Sequence, residues 1–193
     1  MKAVVVSRAG GPEVLEVLER ELPSIKPGWS LVKVMGFGIN HSEIFTRQGL
    51  SPSVTFPRVL GIEMVGLIEE TSDPSRLPVG QKVVSIMGEM GRAYDGGYAE
   101  YALLPNDNLY TITSDLNWRD LASVPETYYT AYGSMKNLQL EPKDRILVRA
   151  GSSGVGQAFA KLVRARFPEV RLVASVRRLD KEEKILAAGF DQV

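Results

Sequence analysis

The chain has 193 residues, 44% hydrophobic and 24% charged, and its 23 Lys and Arg balance 23 Asp and Glu. That makeup fits a folded protein with one large core or two small ones, and zero net charge gives no electrostatic basis for wholesale binding to nucleic acid or an anionic membrane. Cysteine is absent and the one histidine is His41, which excludes disulfides, thiolate catalysis and zinc sites built on cysteine or clustered histidine.

The opening "MKAVVVSRAGGPEV" meets Arg8 and a Gly-Gly-Pro turn too soon for a secretory leader, and no apolar run nears the roughly 20 residues of a membrane span. A cytoplasmic protein with a small-molecule partner is the expectation, with neither nucleic acid nor membrane.

In chain order, residues 2–7, 14–19, 30–39, 63–70, 81–86 and 97–104 are rich in β-branched or alternating apolar residues, and Gly-Pro, Lys-Pro-Gly, Asp-Pro-Ser and Gly-Gly stretches separate them. They predict a mainly β domain over 1–120. From Trp118 the apolar spacing moves toward three and four, and helices are expected. A strand (145–149), a glycine turn (150–156), a helix (155–166), a strand (170–176) and a helix (180–188) capped by Gly189 follow. Strand, glycine turn, helix and parallel strand make a βαβ unit, so 121–193 is expected to be an incomplete nucleotide-binding domain whose third strand would begin where the chain stops.

The turn reads "AGSSGVGQAF". Glycines there let the backbone pass close to a ligand, and the free N–H groups and positive dipole end of the helix attract an anion such as a pyrophosphate. The dinucleotide pattern G-x-G-x-x-G is met as Gly151, Ser153 and Gly156, with Gly154 in addition. Ser153 replaces the middle glycine, and its hydroxyl is a candidate phosphate ligand. A tight turn needed only for packing helix on strand is the competing explanation. Gly151, Ser152, Ser153, Gly154, Val155 and Gly156 are the candidate cofactor residues of the turn.

About 20 residues beyond such a turn an NAD site places a carboxylate on the ribose. Here the strand exits through Ser175, Val176, Arg177 and Arg178, with Asp180 further on. Two arginines and a serine suit a 2′-phosphate, which favours NADP(H). Solvated charges at a helix entry are the alternative for one of the two arginines.

Taken together, "MKAVVV" with "GGPEVLEV", "KPGWSLVKVMGFGINHSEI", "FPRVLGIEMVGLIEE", "DGGYAEYALLP", "PETYYTAYGSM", "AGSSGVGQAFAKL" and "AAGFDQV" resemble, in order, the landmarks of the medium-chain dehydrogenase/reductase superfamily and its zinc-free quinone oxidoreductase-like branch. The resemblance implies an α/β protein with a mainly β GroES-like domain followed by a Rossmann domain, with NADPH and substrate held in the cleft between them. Asn40 stands where zinc-dependent alcohol dehydrogenases have a ligand cysteine, and Gly61-Ile62-Glu63 replaces their Gly-His-Glu. A zinc-polarised alkoxide is thereby closed to the chain, and hydride transfer to a quinone or an enone remains.

Asn40 is the leading catalytic candidate, to orient the nicotinamide or donate to the substrate carbonyl; capping a helix that begins near His41 is its other role. His41 is a candidate proton relay, against a surface or supporting position. Glu63 either forms a salt bridge within the first domain or survives from a metal-binding ancestor, and a structural role is expected. Resembling enzymes place Thr130 near the nicotinamide and phosphates. They offer the substrate a tyrosine where this chain has Phe45.

A full cofactor domain has about six parallel strands. Two leave an edge of Ile146–Val148 unpaired, so a longer polypeptide is the first expectation and self-association through that edge the second. A non-catalytic relic or nucleotide-binding module on the same fold is the alternative function.

Overall fold

The computed structural model describes residues 1–51 and 53–193. The apolar runs of the first part pair as antiparallel strands. Strand β1 (Lys2–Val6) lies between β2 (Leu15–Glu19) and β4 (Arg58–Val59). Strands β3 (Trp29–Gly36), β5 (Glu63–Thr71), β6 (Lys82–Ile86), β7 (Tyr101–Pro105) and β8 (Tyr110–Thr111) form a second sheet in the order β7-β3-β5-β6-β8. Alternation decides which faces are covered: Val32, Met64, Ile68, Val83, Ala102 and Leu104 interdigitate on one side of the larger sheet, each under 4% exposed. Burying each valine, leucine, isoleucine or methionine among them stabilises by about 1.5–3 kcal/mol. Helix α1 (His41–Arg47) follows β3, and α2 (Trp118–Leu121) closes the part, with Leu121 packed on Val65.

Several expected bounds shift. The strand expected over 30–39 ends at Gly36, whose pairing with Val65 is the last with β5, beyond register breaks at Leu31/Val32 and Val34/Gly36. That expected over 97–104 becomes regular at Tyr101: before it, Gly97 N–H donates to the Gly61 carbonyl at 3.1 Å and Ala99 bridges to Ala3. The two-residue strands β4 and β8 carry no pattern of their own and exist by pairing with β1 and β6. The single helical region expected from Trp118 is interrupted: α3 (Pro125–Leu138) begins at a proline, which cannot donate to the preceding turn.

In the remainder, β9 (Arg145–Arg149) and β10 (Arg171–Ser175) pair in parallel, with α4 (Gly154–Arg166) between them and α5 (Glu182–Ala187) after. Ala158, Phe159 and Val163 of α4 bury against Leu172 and Ala174 of β10, Ala131 and Met135 of α3, and Ile185 of α5. Gly189, at φ +108°, ends α5 in the left-handed conformation that glycine adopts without steric cost. Gln192 then bridges in parallel to Val173, on the edge of β10 away from β9. Among the described residues the other edge of β9 has no strand partner, and Leu147 there is 63% exposed. The chain divides into two units, Met1–Glu126 and Thr127–Val193. No helix among the described residues is long and apolar enough to cross a membrane.

Candidate functional site

The chain leaves β9 at Arg149 and turns into α4 through Ala150, which holds φ at +55°. That left-handed conformation costs a residue with a Cβ about 1–2 kcal/mol. The turn is held by Ser153 N–H to the Ala150 carbonyl at 2.9 Å and by Gly151 N–H to the Ser175 carbonyl at 3.2 Å. Ser153 is the N-cap of α4, its Oγ accepting from Gly156 N–H at 3.0 Å. Its lone-pair side therefore serves the helix, and the hydroxyl proton is what it can offer an anion. The N–H groups of Gly154 and Val155 have no acceptor among the described residues, so the positive end of α4 presents two free donors.

The glycines divide by purpose. A Cβ at Gly151 would stand 2.6 Å from Ala174 Cβ, and one at Gly156 would stand 2.8 Å from the Ala150 carbonyl. Packing against β10 demands the first, and close packing of α4 on the turn demands the second. A Cβ at Gly154 would meet nothing nearer than Thr127 Cγ2 at 3.6 Å, an ordinary contact. Gly154 alone of the three is unexplained by packing.

Beside this turn an open groove of about 720 Å³ is lined by Ala150, Ser152, Ser153, Ser175, Val176 and Arg177, with Arg149 added. Its volume suits part of a dinucleotide, and no acidic side chain lines it. The free amides, the unfilled space at Gly154 and the cationic groove fit a phosphate-bearing cofactor. Ser152, Ser153, Ser175 and Arg177 thus share one concavity. Arg178 does not line it: its Nη2 pairs with Asp180 at 2.8 Å in an exposed position. Thr130 is exposed on α3.

The first unit holds a second cluster of candidates. Asn40 is the N-cap of α1, and the Glu43 carboxylate reaches back to Asn40 N–H at 2.7 Å through Oε2. Glu43 Oε1 accepts from Ile62 N–H at 2.8 Å, and the Tyr98 hydroxyl donates to Oε2. The Asn40 side chain donates from Nδ2 to Glu63 Oε1 at 2.8 Å, while Glu63 Oε2 accepts from Glu126 N–H at 2.9 Å. The salt bridge entertained for Glu63 is not formed: among the described residues it has no cationic partner, only these two donors. Burial pushes the carboxyls of Glu43 and Glu63 above their ordinary 4.5, against hydrogen bonds that pull both down. Burial, followed by the bond to Glu43, pushes the Tyr98 hydroxyl up.

Neither Glu43 nor Tyr98 was singled out from sequence, although Asn-x-x-Glu before an apolar residue is a capping signature that marks Glu43. His41 is exposed, with its ring edge-on to Phe45 at 5.4 Å between centroids. Tyr128 packs partly buried on the second unit's core, whereas Tyr129 is 67% and Tyr132 50% exposed.

Residues 26–114 match the alcohol dehydrogenase GroES-like domain. Human quinone oxidoreductase is 32% identical over 169 residues, 86% of this chain and 50% of that protein. The chain thus spans about half the length of the curated relatives it matches. The fold matches that of an NAD-dependent alcohol dehydrogenase at a TM-score of 0.88 and 29% identity, covering 100% of this chain and 62% of the other. A mycobacterial protein solved with NADPH matches at a TM-score of 0.86 and 28% identity, over 100% and 58%. Over most of its length the chain is similar to quinone oxidoreductases and alcohol dehydrogenases of the medium-chain dehydrogenase/reductase superfamily.

Proposed function

We propose that the chain is part of an NADPH-dependent, zinc-independent oxidoreductase that delivers hydride to a quinone or an activated alkene or carbonyl. In this reading residues 1–120 are a GroES-like substrate-side domain and residues 121–193 hold the first two strands of a Rossmann domain. The observation that carries it is the pair of unpartnered N–H groups at Gly154 and Val155, beside an acid-free groove. Backbone donors at a helix N-terminus are fixed in place and need no reorganisation to receive a diphosphate.

Ser175 and Arg177, at the end of β10, would receive the 2′-phosphate, since no carboxylate stands there to bind a ribose diol. The likeness to an NAD-dependent alcohol dehydrogenase leaves that choice to these two side chains. Bound NADPH supplies the hydride. Asn40 spends one amide proton on Glu63 and its side-chain oxygen on the Glu43 N–H of the capping box, and keeps its second N–H for the nicotinamide or the developing oxyanion. His41 is placed at the surface, where it can exchange the proton that reduction consumes. The zinc-independent part rests on side-chain chemistry, because the amide of Asn40 and the aliphatic Ile62 are poor zinc ligands.

Titration by nicotinamide fluorescence should show NADPH bound more tightly than NADH, and turnover with a quinone or an enone should follow. Tight binding without turnover favours the nucleotide-binding module instead. No saturable binding of either coenzyme overturns both.

A further inference from the structure

The groove beside the turn is lined by two arginines, and the sequence pattern accounts for only one of them. Arg177 belongs to the segment that follows β10. Arg149 is the last residue of β9 and lies directly across the parallel ladder from Ser175. Parallel partners in register point to the same face of a sheet, so Arg149 and Ser175 stand side by side.

Their ionic surroundings separate the three arginines. Arg178 is paired with Asp180. Neither Arg149 nor Arg177 has a carboxylate within ion-pairing distance or a hydrogen-bond acceptor among the described residues. Two unpaired cations facing one cavity without an acid repel each other, and a dianion between them relieves that repulsion. A phosphate monoester carries close to two charges at neutral pH and offers three acceptor oxygens, which suits two planar forks and a hydroxyl.

We propose that Arg149, not Arg178, is the second guanidinium of a phosphomonoester subsite completed by Ser175 and Arg177, and that it sets the preference for a 2′-phosphorylated coenzyme. The inference rests on the cofactor reading above. It differs from that reading in assigning discrimination to a residue on the opposite strand from the one whose exit usually supplies it.

The test compares Arg149→Ala, Arg177→Ala and Arg178→Ala in the full chain, titrated with NADPH, NADH, 2′-AMP and 5′-AMP, with thermal unfolding as the control for folding. Arg149→Ala should weaken NADPH and 2′-AMP tenfold or more while NADH and 5′-AMP change less than twofold, and Arg178→Ala should leave all four within twofold. The proposal is overturned if Arg149→Ala is silent, if it weakens NADPH and NADH equally, or if Arg178→Ala carries the selective loss. In each of those cases wild-type binding of NADPH preserves the cofactor reading. If the wild-type chain binds neither coenzyme, that reading falls, and the subsite survives only if 2′-AMP still binds in an Arg149-dependent way.

Discussion

Tyr98 and Glu43, 55 residues apart in sequence, meet as a buried pair in which the phenol donates to a carboxylate oxygen already receiving the Asn40 N–H. One acidic side chain thereby ties the start of α1 to the segment entering β7, and the Tyr98 ring packs on Phe37 at 4.8 Å between centroids.

Tyr98→Phe keeps the ring and removes one donor from a buried acceptor. A loss of about 1–2 kcal/mol is expected, read by urea unfolding with an unchanged denaturant slope. An unaltered midpoint would show that the pair contributes nothing.

The raised carboxyls make a pH prediction. Folded Glu43 and Glu63 hold their protons above 4.5, where the unfolded chain has begun to release its own. Their contribution to stability is therefore greatest below about pH 4.5, declines as pH rises through the folded-state values, and is constant above them. The Glu43→Gln, Glu63→Gln double variant cannot titrate there. Wild-type stability measured against it should fall as pH rises above 4.5, and a rise there would contradict the assigned direction.

Ser153 serves the helix before it serves a ligand. Ser153→Ala should cost about 1 kcal/mol and Ser153→Gly only a few tenths, read by thermal unfolding. Ser153→Gly also opens the backbone approach, so it should tighten NADPH while slightly weakening the fold. Equal stability losses in the two variants would show that the cap is unimportant.

Gly154→Ala reverses that pattern. The added Cβ meets only Thr127 at 3.6 Å, so the fold should keep or gain a few tenths of a kcal/mol from the better helix former. NADPH affinity should nevertheless drop about tenfold or more, measured by fluorescence titration, because the Cβ stands beside the free amides. Unchanged affinity would place the diphosphate elsewhere.

What the sequence makes legible is whatever a local pattern dictates. The β-branched runs, the βαβ order and the C-cap at Gly189 all follow from neighbours within a few residues, and the structure places them within a few positions of expectation. Strands β4 and β8 were invisible because two residues carry no period and tertiary pairing alone makes them extended. The cluster around Asn40 could be half seen: Glu43 lies in a capping pattern, but Glu63 reaches Asn40, Tyr98 reaches Glu43 and the Glu126 amide reaches Glu63 only through folding. The Ser153 hydroxyl, a candidate phosphate ligand, also caps α4 by accepting from Gly156 N–H. Arg149 was hidden because a charge at the end of a strand has no motif, and its place opposite Ser175 depends on the register of a parallel pair.

The most direct test of the central claim, that a coenzyme diphosphate rests on the free amides where α4 begins, is a titration of the isotope-labelled full chain with NADPH followed through its backbone amide resonances. Saturable shifts largest at Gly154 and Val155, with Ser153 and Arg177 following, are the expected result. Unmoved amides at the start of α4, with shifts confined to other segments, would contradict it.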